Sequence, residues 1–218
     1  DHDGHVDLPL ANGLALPCHW RTTDQDRQGD IIDVDKLATQ TRGPAIDPST
    51  YWSEYADRNQ VFFNSGQGQF IDRTAQGGDF CRQTGSARAL IHGDIDNDGD
   101  IDLLVTTCGT RARLYRNDVP KIGHWLRVRA VDPGLKRDAY GAEVTVIADR
   151  ARHHRILNPA GSFLASNDIR IHVGLAPARY DRIEVRWPSG DTAIEVFEGG
   201  ASDREIVLTR GQGTPGSR

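Results

Sequence analysis

The 218-residue sequence contains no methionine, only three cysteines and no long apolar run. No apolar stretch approaches the roughly 18 residues that cross a bilayer, so we expect no transmembrane segment in this portion. Sustained helical periodicity is also missing, whereas the 23 glycines and 10 prolines suit many turns, and this favours an all-β fold. The net charge of −5 argues against nucleic acid as a partner, because phosphate binding needs a basic surface.

Motifs for catalysis are scarce as well. The sequence has no nucleophile elbow, no Ser/His/Asp order and no glycine loop of the kind that cradles phosphate. His153 and His154 are adjacent, but neighbouring residues of a strand point to opposite faces, so they cannot share one metal ion without a bulge. We therefore interpret the chain as non-enzymatic.

The three cysteines show no metal-type spacing. Cys81 precedes a strand that leads into an acidic segment and Cys108 ends the strand that leaves it, so a disulfide between them is plausible. Cys18 could instead pair with Cys81 or with sequence upstream, and buried free thiols are the remaining alternative. An extracytoplasmic location would favour disulfides.

The most informative segment is the acidic loop, residues 94–102, which carries an aspartate at every even position. Alternating aspartates around a turn-forming glycine are typical of loops that wrap oxygen ligands around Ca²⁺. A strand-like run follows the loop, where an EF-hand would need a glutamate and a helix. We therefore predict a β-flanked calcium site in which the side chains of four aspartates and the backbone carbonyl of a fifth, Asp100, bind the ion. The four are Asp94, Asp96, Asp98 and Asp102.

The same pattern occurs in the N-terminal loop, residues 1–7, which matches residues 96–102 with a constant offset of 95. Its candidate metal ligands are Asp1, Asp3, His5 and Asp7. The counterpart of Asp94 would precede Asp1, so we expect weak metal binding here unless an upstream piece completes the loop. This pattern predicts that the chain is the C-terminal portion of a longer protein.

The repeat continues beyond the loops. Residues 61–64 parallel residues 114–117 at an offset of 53, and the two offsets differ by 42 residues. The first copy therefore contains an insertion at about 16–58. Units of this size with short strands predict stacked β structures such as propeller blades. The insertion carries several aromatic residues of the kind enriched at protein interfaces, namely Trp20, Tyr51, Trp52 and Tyr55.

Beyond a short linker at 119–122, the sequence alternates between apolar and polar residues. Leu126, Val128 and Ala130 share one face of a strand, with Arg127 and Arg129 on the other. Similar runs recur up to about residue 208, and six or so half-buried strands in about 90 residues predict a compact antiparallel sandwich or barrel. Residues 211–218 are predicted to form a flexible tail.

These motifs resemble two known families. Residues 1–118, with the acidic loop and the segments 64–72 and 114–118, look like the last blades of an FG-GAP/VCBS-type β-propeller. Residues 123–210 resemble the ASPIC/UnbV domain of the cartilage acidic protein 1 family and its bacterial relatives, through His124-Trp125-Leu126, residues 137–144, Ser166-Asn167-Asp168 and residues 182–190. Ala165 departs from the family pattern, where glutamine is expected.

The resemblance implies a calcium-stabilised binding or scaffold module outside the cell or in a bacterial periplasm. Its expected cofactor is Ca²⁺. Its expected partner is another protein or a cell-surface component, with the chain as a subunit of a larger assembly. The alternative is the C-terminal part of a propeller enzyme, a lyase or hydrolase acting on carbohydrate, whose active site lies upstream. Fold alone does not decide between the two functions.

Overall fold

The structure is a computed structural model that describes residues 2–12, 56–175, 179–188 and 193–216. It is all-β, with 50% strand and 5% helix, and it contains several antiparallel sheets. The described residues form no closed barrel, and the arrangement is consistent with a sandwich-like domain. The predicted all-β class is therefore confirmed. The insertion aromatics, Cys18 and Asp1 lie outside the described residues.

The first part of the chain forms three small sheets. One has the strand order β1-β3-β4, a second pairs β2 with β5, and a third has the order β6-β7-β8. A 3₁₀ turn (Thr74–Gln76) and one short helix, α1 (Gly78–Arg82), connect the first sheet to the second. The strands are β1 (Leu8–Leu10), β2 (Asp57–Arg58), β3 (Gln60–Asn64), β4 (Phe70–Asp72), β5 (Thr84–Gly85), β6 (Ala87–Gly93), β7 (Asp102–Thr107) and β8 (Arg113–Tyr115).

The two copies of the sequence repeat have equivalent geometry. Leu8 pairs with Phe62 between β1 and β3, and their counterparts Leu103 and Tyr115 pair between β7 and β8. The backbone turns also match, since His2 and Asn97 have φ of 66° and 62°, and Gly4 and Gly99 have φ of 91° and 97°. The structure thus confirms the internal repeat.

A small apolar core lies between these strands and α1. Phe80, Cys81, Ala87 and Val105 are buried in it, and the Phe80 ring meets the Tyr115 ring edge-on at 5.4 Å. The disulfide considered between Cys81 and Cys108 is absent, because both are free thiols. Cys81 lies in α1 and packs into this core, whereas Cys108 is only half-buried after β7.

The C-terminal β domain, defined here as residues 124–215, consists of two packed sheets. One has the order β10-β9-β13 with β16 also beside β9, and the other has the order β12-β11-β14-β15-β17. The strands are β9 (His124–Asp132), β10 (Arg137–Asp138), β11 (Glu143–Ala148), β12 (Ala151–Ile156), β13 (Ile171–Leu175), β14 (Tyr180–Arg186), β15 (Ile194–Gly200), β16 (Arg204–Thr209) and β17 (Thr214–Pro215).

The core of this domain fills the space between the two sheets. Leu126, Val128 and Ala130 of β9 are fully buried, and they face buried residues of β11 and β14 such as Val144 and Ile183. The sequence alternation therefore identified the inward face of each strand. Fully burying a side chain of this size contributes about 1.5–3 kcal/mol to folding, so this cluster is the main source of stability for the domain.

Two features differ from the sequence-based expectation. β16 pairs with β9 in parallel, although every other strand pair in the domain is antiparallel. β15 precedes β16 in the chain but lies in the other sheet, so the chain crosses between the sheets before β16 pairs with β9. Such a crossover permits parallel pairing, whereas a hairpin would impose antiparallel pairing. In addition, the predicted tail at 211–218 contains β17, which pairs with β15 through Glu195 and Val196.

Candidate metal-binding loop and its docking face

The acidic loop connects β6 to β7 and brings three of the predicted ligands together. Asp94, Asp96 and Asp102 each offer a carboxylate oxygen, and these oxygens lie within 4.8 Å of one another. Asp94 and Asp102 are buried, with exposed fractions of 3% and 2%, whereas Asp96 is exposed. Three carboxylates at this separation repel one another strongly unless a positive charge compensates them.

The loop is shaped by its own side chains as well as by its turn residues. The Asp98 Oδ1 atom accepts a hydrogen bond from the Asp100 backbone N–H at 2.9 Å, and Asp102 Oδ2 accepts one from the Ile95 N–H at 3.0 Å. Asn97 and Gly99 both have positive φ, a conformation that asparagine and glycine tolerate better than other residues. The loop therefore holds its carboxylates in place through local hydrogen bonds.

Asp94 provides the best indication that a cation belongs in this loop. Its Oδ2 atom accepts hydrogen bonds from the Gly99 N–H at 2.9 Å and from the Arg127 guanidinium. Its Oδ1 atom is buried and has no hydrogen-bond partner among the described residues. A buried carboxylate oxygen without a donor is costly, and a hard cation that takes oxygen ligands would satisfy it. The residues present therefore fit a bound metal ion, although nothing in the geometry identifies which ion.

The structure does not bring Asp98 and Asp100 into the three-residue cluster. The Asp100 side chain points instead to His2 Nε2 at 3.2 Å and to Lys121 Nζ at 3.4 Å, and burial raises its pKa. Lys121 Nζ also donates to the Asp98 backbone carbonyl at 2.7 Å. The prediction that Asp100 contributes through its carbonyl oxygen stays a prediction.

The N-terminal loop repeats part of this arrangement. Asp7 Oδ1 accepts a hydrogen bond from the Asn64 N–H at 2.9 Å, and in the acidic loop Asp102 Oδ1 accepts one from the Asn117 N–H at 2.9 Å. Asp3 Oδ1 accepts the His5 N–H at 2.8 Å, but Asp3, His5 and Asp7 form no metal-type cluster within the described residues. The predicted second site therefore stays a prediction.

The acidic loop rests on one face of the C-terminal β domain, which we call the docking face. It consists of Trp125, Arg127, Arg170 and His172. Gly99 lies directly against the Trp125 ring, because a Cβ atom at this position would be 2.2 Å from the indole nitrogen. The His172 Nε2 atom donates a hydrogen bond to the Gly99 carbonyl at 2.8 Å. The polar face of β9 is therefore covered by the loop, and Arg127 is only 5% exposed.

The two arginines of the docking face are held by a shared set of acceptors. Arg127 Nε donates to Glu205 Oε2 at 2.9 Å, and Arg170 Nη1 donates to the same oxygen at 3.0 Å. Both guanidinium groups also reach Asn97 Oδ1, at 3.1 Å and 3.3 Å respectively. Arg170 Nη2 donates in addition to the backbone carbonyl of Asp94 at 3.3 Å. These contacts attach the loop to the domain at several points.

The Ser166-Asn167-Asp168 segment has a structural role at the edge of β6. Asn167 Oδ1 accepts a hydrogen bond from the His92 N–H at 3.0 Å, and the Asp168 N–H donates to the His92 carbonyl at 3.1 Å. Burial opposes ionisation of Asp168, but hydrogen bonds from Arg170 outweigh it and lower the Asp168 pKa. The segment thus pairs with backbone groups that an edge strand would otherwise leave open.

A comparison with protein families gives a match in the C-terminal part of the chain. Residues 132–215 match the family described as ASPIC and UnbV. The match includes β10 to β17, the Ser166-Asn167-Asp168 segment and two residues of the docking face, Arg170 and His172. The ASPIC/UnbV resemblance is therefore confirmed for the C-terminal part, and the FG-GAP/VCBS propeller stays a prediction for the rest. A search among curated proteins found no match.

Sequence reasoning did not identify the docking face. Trp125 and Arg127 lie just before the ASPIC/UnbV match, and their sequence positions indicated only an outward-facing strand surface. The one available signal was the presence of an arginine-rich strand face and an aspartate-rich loop in the same sequence.

No helix in the described part of the chain is long and apolar enough to span a bilayer.

Burial within the ASPIC/UnbV region makes His172 a source of pH-dependent stability. Burial lowers its pKa from 6.5 to about 4, although the hydrogen bond to Gly99 opposes the shift. Between these values the unfolded chain takes up a proton that the folded chain does not. Stability is therefore fully present above pH 6.5 and falls towards pH 4, by on the order of 3 kcal/mol from this group.

Denaturant unfolding of the His172→Gln variant between pH 7 and pH 4 tests this expectation. We expect a shallower loss of stability than in the unsubstituted protein, because glutamine can still donate to the Gly99 carbonyl but does not titrate. His154→Gln is the matched control, since His154 is exposed on β12. Equal pH dependence in both variants would contradict the assignment to His172.

Proposed function

We propose that the chain is a calcium-stabilised extracytoplasmic module for protein–protein or cell-surface interaction. The observation that carries the calcium part is the buried, unpartnered Asp94 Oδ1 atom beside the carboxylates of Asp96 and Asp102. The ion would use oxygen ligands at about 2.3–2.6 Å, as Ca²⁺ sites in flexible loops do. It would fix the turn between β6 and β7, so that free energy of binding becomes free energy of folding.

Calcium is favoured over other cations by the ligand chemistry. The cluster offers carboxylates and no histidine or cysteine, which selects for hard cations rather than for zinc or copper. A loop of alternating short turns adapts to the higher and less regular coordination of Ca²⁺ more readily than to the strict octahedron of Mg²⁺. A site with few carboxylates suits the high calcium concentration outside cells, and this supports an extracytoplasmic location.

The proposed binding role rests on the ASPIC/UnbV match, which is compatible with an extracellular protein-interaction module. A shallow groove of about 190 Å³ lies on the outer face of the five-stranded sheet, away from the docking face. Its charged residues are paired, with Arg152 and Glu184 at 2.7 Å and Arg186 and Glu143 at 3.1 Å. A ready set of ion pairs on an exposed face suits recognition of another macromolecule, and we propose that the module has no catalytic activity of its own.

Calcium titration of the full chain tests the metal part of this proposal. We expect added Ca²⁺ to raise the melting temperature and EDTA to lower it. Asp96→Asn should weaken calcium affinity by about tenfold or more, because it removes one charged ligand while leaving the buried Asp94 and Asp102 in place. Isothermal titration calorimetry measures the affinity directly.

Asp79→Asn is the matched control, since the Asp79 side chain is 73% exposed and lies in α1, outside the loop. This variant should bind calcium as the unsubstituted protein does. A melting temperature that is the same in EDTA and in calcium would refute the proposed site. Equal affinities for Asp96→Asn and Asp79→Asn would show that calcium binds elsewhere.

A further inference from the structure

The charge of Asp94 is compensated by a side chain from a distant part of the chain. The Asp94 side chain is 0% exposed, and that of its ion-pair partner Arg127 is 6% exposed. A buried carboxylate is stable only when a positive charge or several donors neutralise it. In the described residues Asp94 receives one backbone N–H, from Gly99, and the guanidinium of Arg127.

The position of Arg127 is fixed independently of Asp94. Its Nε atom donates to Glu205 on β16 of the same domain, and its Nη2 atom donates to Asn97 of the acidic loop. The guanidinium also lies over the Trp125 ring, 5.7 Å from the ring centroid. The C-terminal β domain therefore presents a preorganised cation to the acidic loop.

We propose that Arg127 is the resident counter-ion of the acidic loop. It neutralises the buried charge of Asp94 through Oδ2, while Oδ1, which has no hydrogen-bond partner among the described residues, would be available to a bound metal ion. The inference rests on the proposed cation site and adds a role for the domain that docks onto it. Docking of the C-terminal β domain and binding of the cation thus compensate the same buried charge.

This role has a consequence that a simple packing role does not have. If Arg127 only attached the domain to the loop, its removal would lower stability equally with and without calcium. A counter-ion behaves differently, because a bound Ca²⁺ replaces much of the missing positive charge. Removing Arg127 should therefore make the fold more dependent on calcium.

The experiment compares the full-length Arg127→Leu and Arg129→Leu variants with the unsubstituted protein, in EDTA and in saturating CaCl₂. Arg129 is also on β9, but it pairs with Asp138 at 2.6 Å and its side chain is 46% exposed. In EDTA we expect Arg127→Leu to melt about 10 °C below Arg129→Leu, because it leaves a buried carboxylate unpaired. Calcium should restore more than half of this loss, a rise at least twice that of the unsubstituted protein. Folding of Arg127→Leu only in calcium gives the same support.

If the unsubstituted protein responds to calcium, a calcium-induced rise in Arg127→Leu no greater than that of the unsubstituted protein would overturn the inference. The Asp94→Asn/Arg127→Leu double variant provides a second test of the role of Arg127, and this test needs no calcium. Because Asp94→Asn removes the charge, the double variant should melt above Arg127→Leu in EDTA, and equal or lower stability would overturn the inference. If the unsubstituted protein shows no calcium response, the proposed site fails, and this comparison still decides the role of Arg127.

Discussion

Gly99→Ala is expected to destabilise the protein by about 2–4 kcal/mol and to loosen the acidic loop from the docking face. The new Cβ would lie 2.2 Å from two atoms of the Trp125 ring, so either the ring or the loop backbone must move. Overpacking of this kind costs about 1–3 kcal/mol, and an alanine at positive φ adds about 1 kcal/mol. Denaturant unfolding measures the loss, and Trp125 fluorescence reports the displaced ring.

Gly211→Ala is the matched control for this substitution. Gly211 also has positive φ, at 86°, but a Cβ there would meet nothing within 4 Å. We therefore expect this variant to show the backbone cost alone, about 1 kcal/mol. If both variants lose the same stability, the contact between Gly99 and Trp125 does not hold the loop in place.

Leu126→Ala is expected to cost about 2–5 kcal/mol, because Leu126 is fully buried at the centre of the sandwich. It lies on β9, which is flanked by β13 and β16, so the cavity would open where neighbouring strands have little freedom to close it. Chemical denaturation should show a lower midpoint with an unchanged slope.

Leu135→Ala provides the comparison at an exposed position of the same residue type. Leu135 is 54% exposed in the turn between β9 and β10, and we expect its substitution to change stability by less than about 0.5 kcal/mol. A loss in Leu126→Ala as small as that in Leu135→Ala would mean that β9 does not lie in the core.

The fold of the C-terminal β domain was largely predictable because its signal is local. Alternation places Leu126 and Val128 on one face of β9, and the structure buries both. The repeat was predictable for the same reason, since equal spacing of aspartates and glycines produces equal turns at Gly4 and Gly99. Strand direction was not predictable at β16, because the crossing from one sheet to the other leaves no sequence signal.

The candidate site was predictable only in part. The spacing of Asp94, Asp96 and Asp102 is a local property of one turn, and the structure brings these three together. The contact between Asp94 and Arg127 joins residues 33 positions apart, and alternation indicated only that Arg127 faces away from the core. The places of Cys81 and Cys108 beside strands suggested a disulfide, but α1 buries Cys81 in the small apolar core, whereas Cys108 is only half-buried after β7.

The parallel pairing of β16 with β9 has a consequence for how the protein reaches its native state. Leu126 pairs with Arg204, so the central strand of the four-stranded sheet gains this neighbour only after almost the whole domain has been synthesised. Closing such a long chain segment costs entropy before any contact repays it, and topologies rich in distant pairings fold in milliseconds to seconds rather than microseconds. Until β16 arrives, Glu205 cannot hold Arg127. The surface that receives the acidic loop is therefore completed only when β16 joins the sheet.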